Sequence, residues 1–83
     1  MTLNPKDFGL PARTVLEREG ETIVIVMKRK SRIIMADGRK ILEKARKIRQ
    51  VEAGVTIALK TTAPLCSKTR TFLEEEGILV IVD

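Results

Sequence analysis

Six consecutive residues without a charge, Thr22-Ile23-Val24-Ile25-Val26-Met27, do most to limit the folds open to this chain. No polar residue alternates with the apolar ones from 23 to 27, so a strand here is expected to be covered on both faces, as in an α/β sheet. Ahead of it, Thr14-Val15-Leu16 reads as a shorter, half-polar edge strand. Glu19-Gly20-Glu21 forms the turn between them, Gly20 supplying the positive φ that a tight hairpin needs.

Beyond the hairpin the period changes from two to about 3.6. Ile41, Leu42, Ala45 and Ile48 make a helical stripe, with Asp37 as its expected N-cap and Gly54 past its end. Val55–Leu59 reads as the next strand, with Val55, Ile57 and Leu59 on one face. Thr61-Thr62-Ala63-Pro64 breaks it. Ser67 is then expected to cap a short helix, Lys68–Glu76, closed by Gly77, and Ile78–Val82 is a last apolar strand. The order is β-β-α-β-α-β. It predicts a single small α/β domain over residues 13–83, a mixed four-stranded sheet flanked by helices whose crossovers are right-handed. Residues 1–12, with Pro5, Gly9 and Pro11 and no periodicity, read as a loose arm.

The charge is as uneven as the hydrophobicity. Residues 28–49 hold ten Lys or Arg against Asp37 and Glu43, a net +8 where the whole chain has +5. The remainder is therefore net acidic. Inert surfaces usually mix their signs, and a solvated face that merely keeps the chain soluble is the bland explanation for such a run. A field of one sign, delivered off the end of a buried strand, fits a polyanion better. The candidate nucleic-acid contacts are Lys28, Arg29, Lys30 and Arg32 in the segment after the strand, and Arg39, Lys40, Lys44 and Lys47 on the helix. Lys40, Lys44 and Lys47 follow one another at helical spacing, a stripe that would share one face with the strand end.

Several chemistries are disfavoured. The chain has no His, Trp or Tyr, hence no imidazole base or ligand and little aromatic surface on which bases could stack. Cys66 is the only cysteine, so no internal disulfide or cysteine zinc cage can form, and a reducing, cytoplasmic setting is expected. Cys66 is expected to pack as a small apolar side chain, and Ser67, Thr61 and Thr62 to cap and turn the backbone rather than act as nucleophiles. There is no GxxxxGK[ST] and no GxGxxG, so no nucleotide cofactor or metal is expected. No apolar run approaches the roughly 20 residues of a membrane helix, and MTLNPKDFGLP lacks the apolar core of a signal peptide. The charged residues are almost all Lys, Arg and Glu, a balance also met in thermophiles. In 83 residues the core is small, and two fully apolar strands add surface to cover, which favours self-association, expected as a homodimer.

The text GETIVIVMKRKSRI, the helix at 39–50 and AGVTIALKTTAPLCSKTRTFLEEEGILVIVD together resemble the restriction-endonuclease-like (PD-(D/E)xK) nucleases, especially their Mrr-type branch, over residues 13–83. That resemblance implies an acid on the first hairpin strand and an acid-x-Lys on the second, which bind Mg²⁺ and activate water. Lys28 matches the family lysine. The acid-x-Lys position is then Val26, and the first-strand acid falls at about Arg13. Shifting the lysine to Lys30 puts Lys28 and Val15 in the acidic slots. Both registers lack the metal-binding carboxylates, and the family's N-terminal helix is missing. The resemblance thus implies a shortened, non-catalytic relative that keeps a nucleic-acid face. The alternative is a structural or regulatory subunit that pairs with itself or with an intact nuclease through the open sheet edge at Thr14–Leu16.

Overall fold

The computed structural model describes residues 1–83. Its strands are β1 (Thr2–Leu3), β2 (Val15–Glu19), β3 (Thr22–Met27), β4 (Thr56–Thr61) and β5 (Ile78–Val82). Two helices, α1 (Met35–Val51) and α2 (Ser67–Glu75), are the crossovers from β3 to β4 and from β4 to β5. One mixed sheet holds all five strands in the order β1-β2-β3-β4-β5. Its first three strands are antiparallel neighbours, and β3, β4 and β5 run parallel.

The hairpin turns at Gly20, whose φ of 62° is one that side-chain-bearing residues seldom adopt. It sets Glu19 opposite Thr22 and hence Leu16 opposite Ile25. This register sends Leu16, Ile23, Ile25, Ile57, Leu59 and Ile78 to one side of the sheet. There they meet Ile41, Leu42, Ala45 and Ile48 of α1 and Leu73 of α2 in a single core cluster. The expected helical stripe is the buried one. Gly38 lets the helices close on each other: a Cβ at this position would lie 2.9 Å from the Thr69 Cγ2 methyl.

The sheet has five strands, not four, and residues 1–12 are not a loose arm. Thr2 and Leu3 pair with Glu17 and Leu16. A 3-10 helix follows at Pro5–Phe8, where the Asn4 side chain accepts from the Lys6 N–H and Gly9 closes the turn with φ 71°. Phe8 and Leu10 are buried in the core cluster beside α1. A two-residue strand and a single 3-10 turn carry too little periodicity to read. Yet Asn4-Pro5, with Gly9 at the far end, has the residues of a capped turn. The Thr14–Leu16 edge is therefore covered by β1.

The layers also differ from the sandwich expected of β3. Both helices belong to one core cluster, from which Val24 and Ala58 are absent although both are buried. On the other side of the sheet Val15, Leu79 and Ile81 are 47, 55 and 42% exposed. The helices thus flank one face, and β3 is not sandwiched between two helical layers. Two right-handed crossovers that step in the same direction along a sheet put their helices on the same side.

Candidate functional site

The segment after β3 is tied down from both sides. Arg29 donates its backbone N–H to the Thr62 hydroxyl, which in turn donates to the Arg29 carbonyl. Ile33 makes a parallel bridge with Leu65: the Ile33 N–H reaches the Pro64 carbonyl and the Cys66 N–H reaches the Ile33 carbonyl. Thr61 serves the same turn, its side-chain oxygen accepting from the Ala63 N–H. The basic segment is thereby fixed against the β4–α2 loop.

Arg29 is the one candidate contact that the fold uses for itself. Its guanidinium donates to both oxygens of Asp37 (2.8 and 3.3 Å) and to the carbonyls of Ser31 and Arg32. Asp37 also accepts from the Ile34 N–H at 3.1 Å. That backbone bond, then the Arg29 side chain, hold the Asp37 carboxyl below its ordinary pKa. The expected N-cap is therefore displaced: Ile34 is the N-cap, and Asp37 stands three residues on, reaching back as the acid of a capping box does.

The other seven candidates have no acidic partner. Of sixteen Lys and Arg side chains, only those of Arg18, Arg29 and Arg70 approach a carboxylate within ion-pair distance, Arg18 that of Glu52 and Arg70 that of Glu74. Lys28, Lys30, Arg32, Arg39, Lys40 and Lys47 are exposed and Lys44 is half-buried.

These cations do not gather in one hollow. Lys40, Lys44 and Lys47 line a space of about 300 Å³ with Glu43, Leu10 and Pro11, between α1 and the segment that follows the 3-10 helix. Lys28 lines a different one, of about 170 Å³, with Glu17, Val26, Lys60, Thr61, Thr62 and Asp83. The expected continuous track from strand end to helix is thus divided, because Lys28 continues the side of β3 that faces away from the helices. Sequence reasoning passed over Leu10 and Pro11 in the first hollow, and Glu17, Lys60 and Asp83 in the second. The signal for Glu17 and Lys60 is their place on alternate strand positions that share a face with Val26.

Two carboxylates therefore do stand near Lys28, Glu17 on β2 and Asp83 after β5. They are not joined by a third ligand: no group of three or more acidic, Cys or His side chains is placed to hold a metal ion. Cys66 is half-exposed at the N-cap of α2 rather than packed in the core. The backbone N–H groups of Thr69, then Lys68, hold its thiol below the ordinary value. No helix is long and apolar enough to cross a membrane. Comparison with protein-family models, curated proteins and solved structures gives no match.

Proposed function

We propose that the chain is a small nucleic-acid-binding module which grips the phosphate backbone along the flank of α1 and has no catalytic role. The observation that carries this reading is the row Lys40, Lys44 and Lys47, about one turn apart, lining one hollow and paired with no carboxylate. Unpaired ammonium groups at a few ångströms' spacing match a run of phosphates, and they contact backbone rather than base edges. Arg39 on the same helix, and Lys28, Lys30 and Arg32 on the pinned segment, add to the positive field. Arg29, committed to Asp37, is left out. Lys28 at the end of β3, with the β2-β3-α1-β4-α2-β5 order, supports a nuclease-like scaffold. Lys60, a second cation beside Glu17 and Asp83 in that hollow, supports a non-catalytic one, since it competes with a hard divalent ion for the same carboxylate oxygens.

The test is binding of mixed-sequence DNA and RNA across a salt series, read by fluorescence anisotropy. Affinity should be nearly independent of sequence and fall steeply with salt. The Lys40→Glu/Lys44→Glu/Lys47→Glu variant should fold and lose binding, because none of the three belongs to the core cluster. Losing three phosphate contacts alone flattens the log–log salt slope by about 2.7. Unchanged affinity in the folded variant would refute the interface.

A further inference from the structure

The side of the sheet away from α1 and α2 has no layer over it. Two cross-strand rows occupy it. One runs Glu17, Val24, Ala58, Leu79 across β2 to β5, and the next runs Val15, Val26, Lys60, Ile81. Six of these eight residues are apolar, and Val15, Leu79 and Ile81 are exposed. An isolated apolar residue on a surface means little; a contiguous group on a regular sheet face is what docking surfaces have.

The two charges in these rows are arranged in a way that selects an occupant. Glu17 and Lys60 lie one strand to either side of β3, Glu17 level with Val24 and Lys60 level with Val26. Their midpoint is β3 at the level of Ile25. Neither is ion-paired within the chain. A two-fold axis lying in the plane of contact, through that midpoint and across the Glu17–Lys60 diagonal, sets each Glu17 against the other copy's Lys60. The same operation brings the Val24–Val26 segments together, so the face is complementary to itself.

We propose that this face docks a second copy of the chain, forming a two-fold dimer held by Val15 of β2 against Val26 of β3 and by two reciprocal Glu17–Lys60 pairs. With strands about 4.8 Å apart and residues about 3.3 Å apart, the axis crosses the two sets of strands at roughly 70°. That lies nearer the orthogonal than the aligned mode of sheet packing. Four strands of about five residues give a footprint of roughly 19 by 17 Å. Two such footprints come to about 650 Å² before side-chain relief, the small end of specific interfaces, so the dimer is a weak one that forms at tens of micromolar. Docking is isologous, as dimers of identical chains are in general. It replaces the Thr14–Leu16 edge, which β1 occupies.

Sedimentation velocity on the whole chain at tens of micromolar tests it. The wild type should run as a dimer and Val15→Glu as a folded monomer. Glu17→Lys and Lys60→Glu should each weaken the dimer by about tenfold or more, through loss of one attraction and gain of a repulsion at both symmetric sites. The double reversal Glu17→Lys/Lys60→Glu should restore it. A wild-type monomer would overturn the proposal and leave the face to a different partner. A dimer indifferent to Val15→Glu and to the single reversals, as pairing along the β5 edge would be, overturns it equally. So does a double reversal that stays monomeric.

Discussion

Removing the Asp37 carboxylate should cost this small protein a large part of its stability. In Asp37→Ala the Ile34 N–H loses its acceptor, a helix-start bond of the kind worth about 1 kcal/mol. Arg29 loses a two-point ion pair whose side chains are 31 and 21% exposed. That intermediate burial places the pair at about 1 kcal/mol, the upper end for surface pairs. A negative charge in the first turn adds about 0.5 kcal/mol through the helix dipole. Alanine's better helix propensity returns roughly 0.5 kcal/mol of this. The net loss is about 2 kcal/mol, which in a domain of this size lowers Tm by roughly 8–16 °C. Thermal unfolding followed by circular dichroism at neutral pH reads it. The pH dependence has a definite sign. Asp37 is held below its unfolded pKa, so its contribution is complete above that value and vanishes as pH falls through the lower, folded one. The gap between wild type and Asp37→Asn should therefore close below about pH 4. Arg29→Ala should lose a similar amount, and the double variant less than the sum of the singles. A Tm for Asp37→Ala within about 2 °C of wild type, in the domain-size regime above, would refute the clamp.

Two further outcomes are expected. Gly38→Ala should lower Tm although Gly-to-Ala inside a helix normally gains about 1 kcal/mol: the new Cβ meets the Thr69 methyl at 2.9 Å and Thr69 is fully buried, so overpacking of about 1–3 kcal/mol prevails. Deleting that methyl in Gly38→Ala/Thr69→Ser should recover the loss, and a higher Tm for the single variant would show that the helices part without cost. No Mg²⁺- or Mn²⁺-dependent cleavage of DNA or RNA is expected of the purified chain, since Glu17 and Asp83 share their hollow with Lys28 and Lys60; metal-dependent cutting abolished by Lys28→Ala would reverse that reading.

What the sequence discloses here depends on the range of the interaction. β3 at Thr22–Met27 and β5 at Ile78–Val82 fall where their apolar runs predict, and the α1 stripe is the buried one, because periodicity is local. The helix starts shift, α1 by three residues and α2 by one. Asp37 serves equally well as N-cap or as a first-turn acid, and the extended Cys66, tied to Ile33, takes the place expected of Ser67. The hollow around Lys28 was out of reach for a different reason. It joins residues 17, 28, 60 and 83 through three strand pairings, and no spacing in one chain encodes which strands become neighbours. The covering of β3 was misjudged on the same ground. An apolar run says that water is excluded, and on one side here Val24 lies between Glu17 and Ala58 within its own sheet, with no helix above.

The two surfaces argued for above also bear on each other through charge. Two chains of net +5 repel, and at physiological ionic strength that repulsion is screened over about 8 Å. The excess lies in residues 28–49, chiefly on α1, one layer of the fold away from the open face. The open face carries Glu17 and Lys60 in its two rows, one charge of each sign. A second copy docking there meets charges that balance, Glu17 and Asp83 against Lys28 and Lys60, beside the apolar residues of the two rows, while the unpaired lysines of α1 stay outermost on each side. Docking through the helical layer would instead press the two lysine rows together. The partition of charge thus favours the open face over the helical layer for the proposed second copy, and leaves the α1 flank to the proposed polyanion.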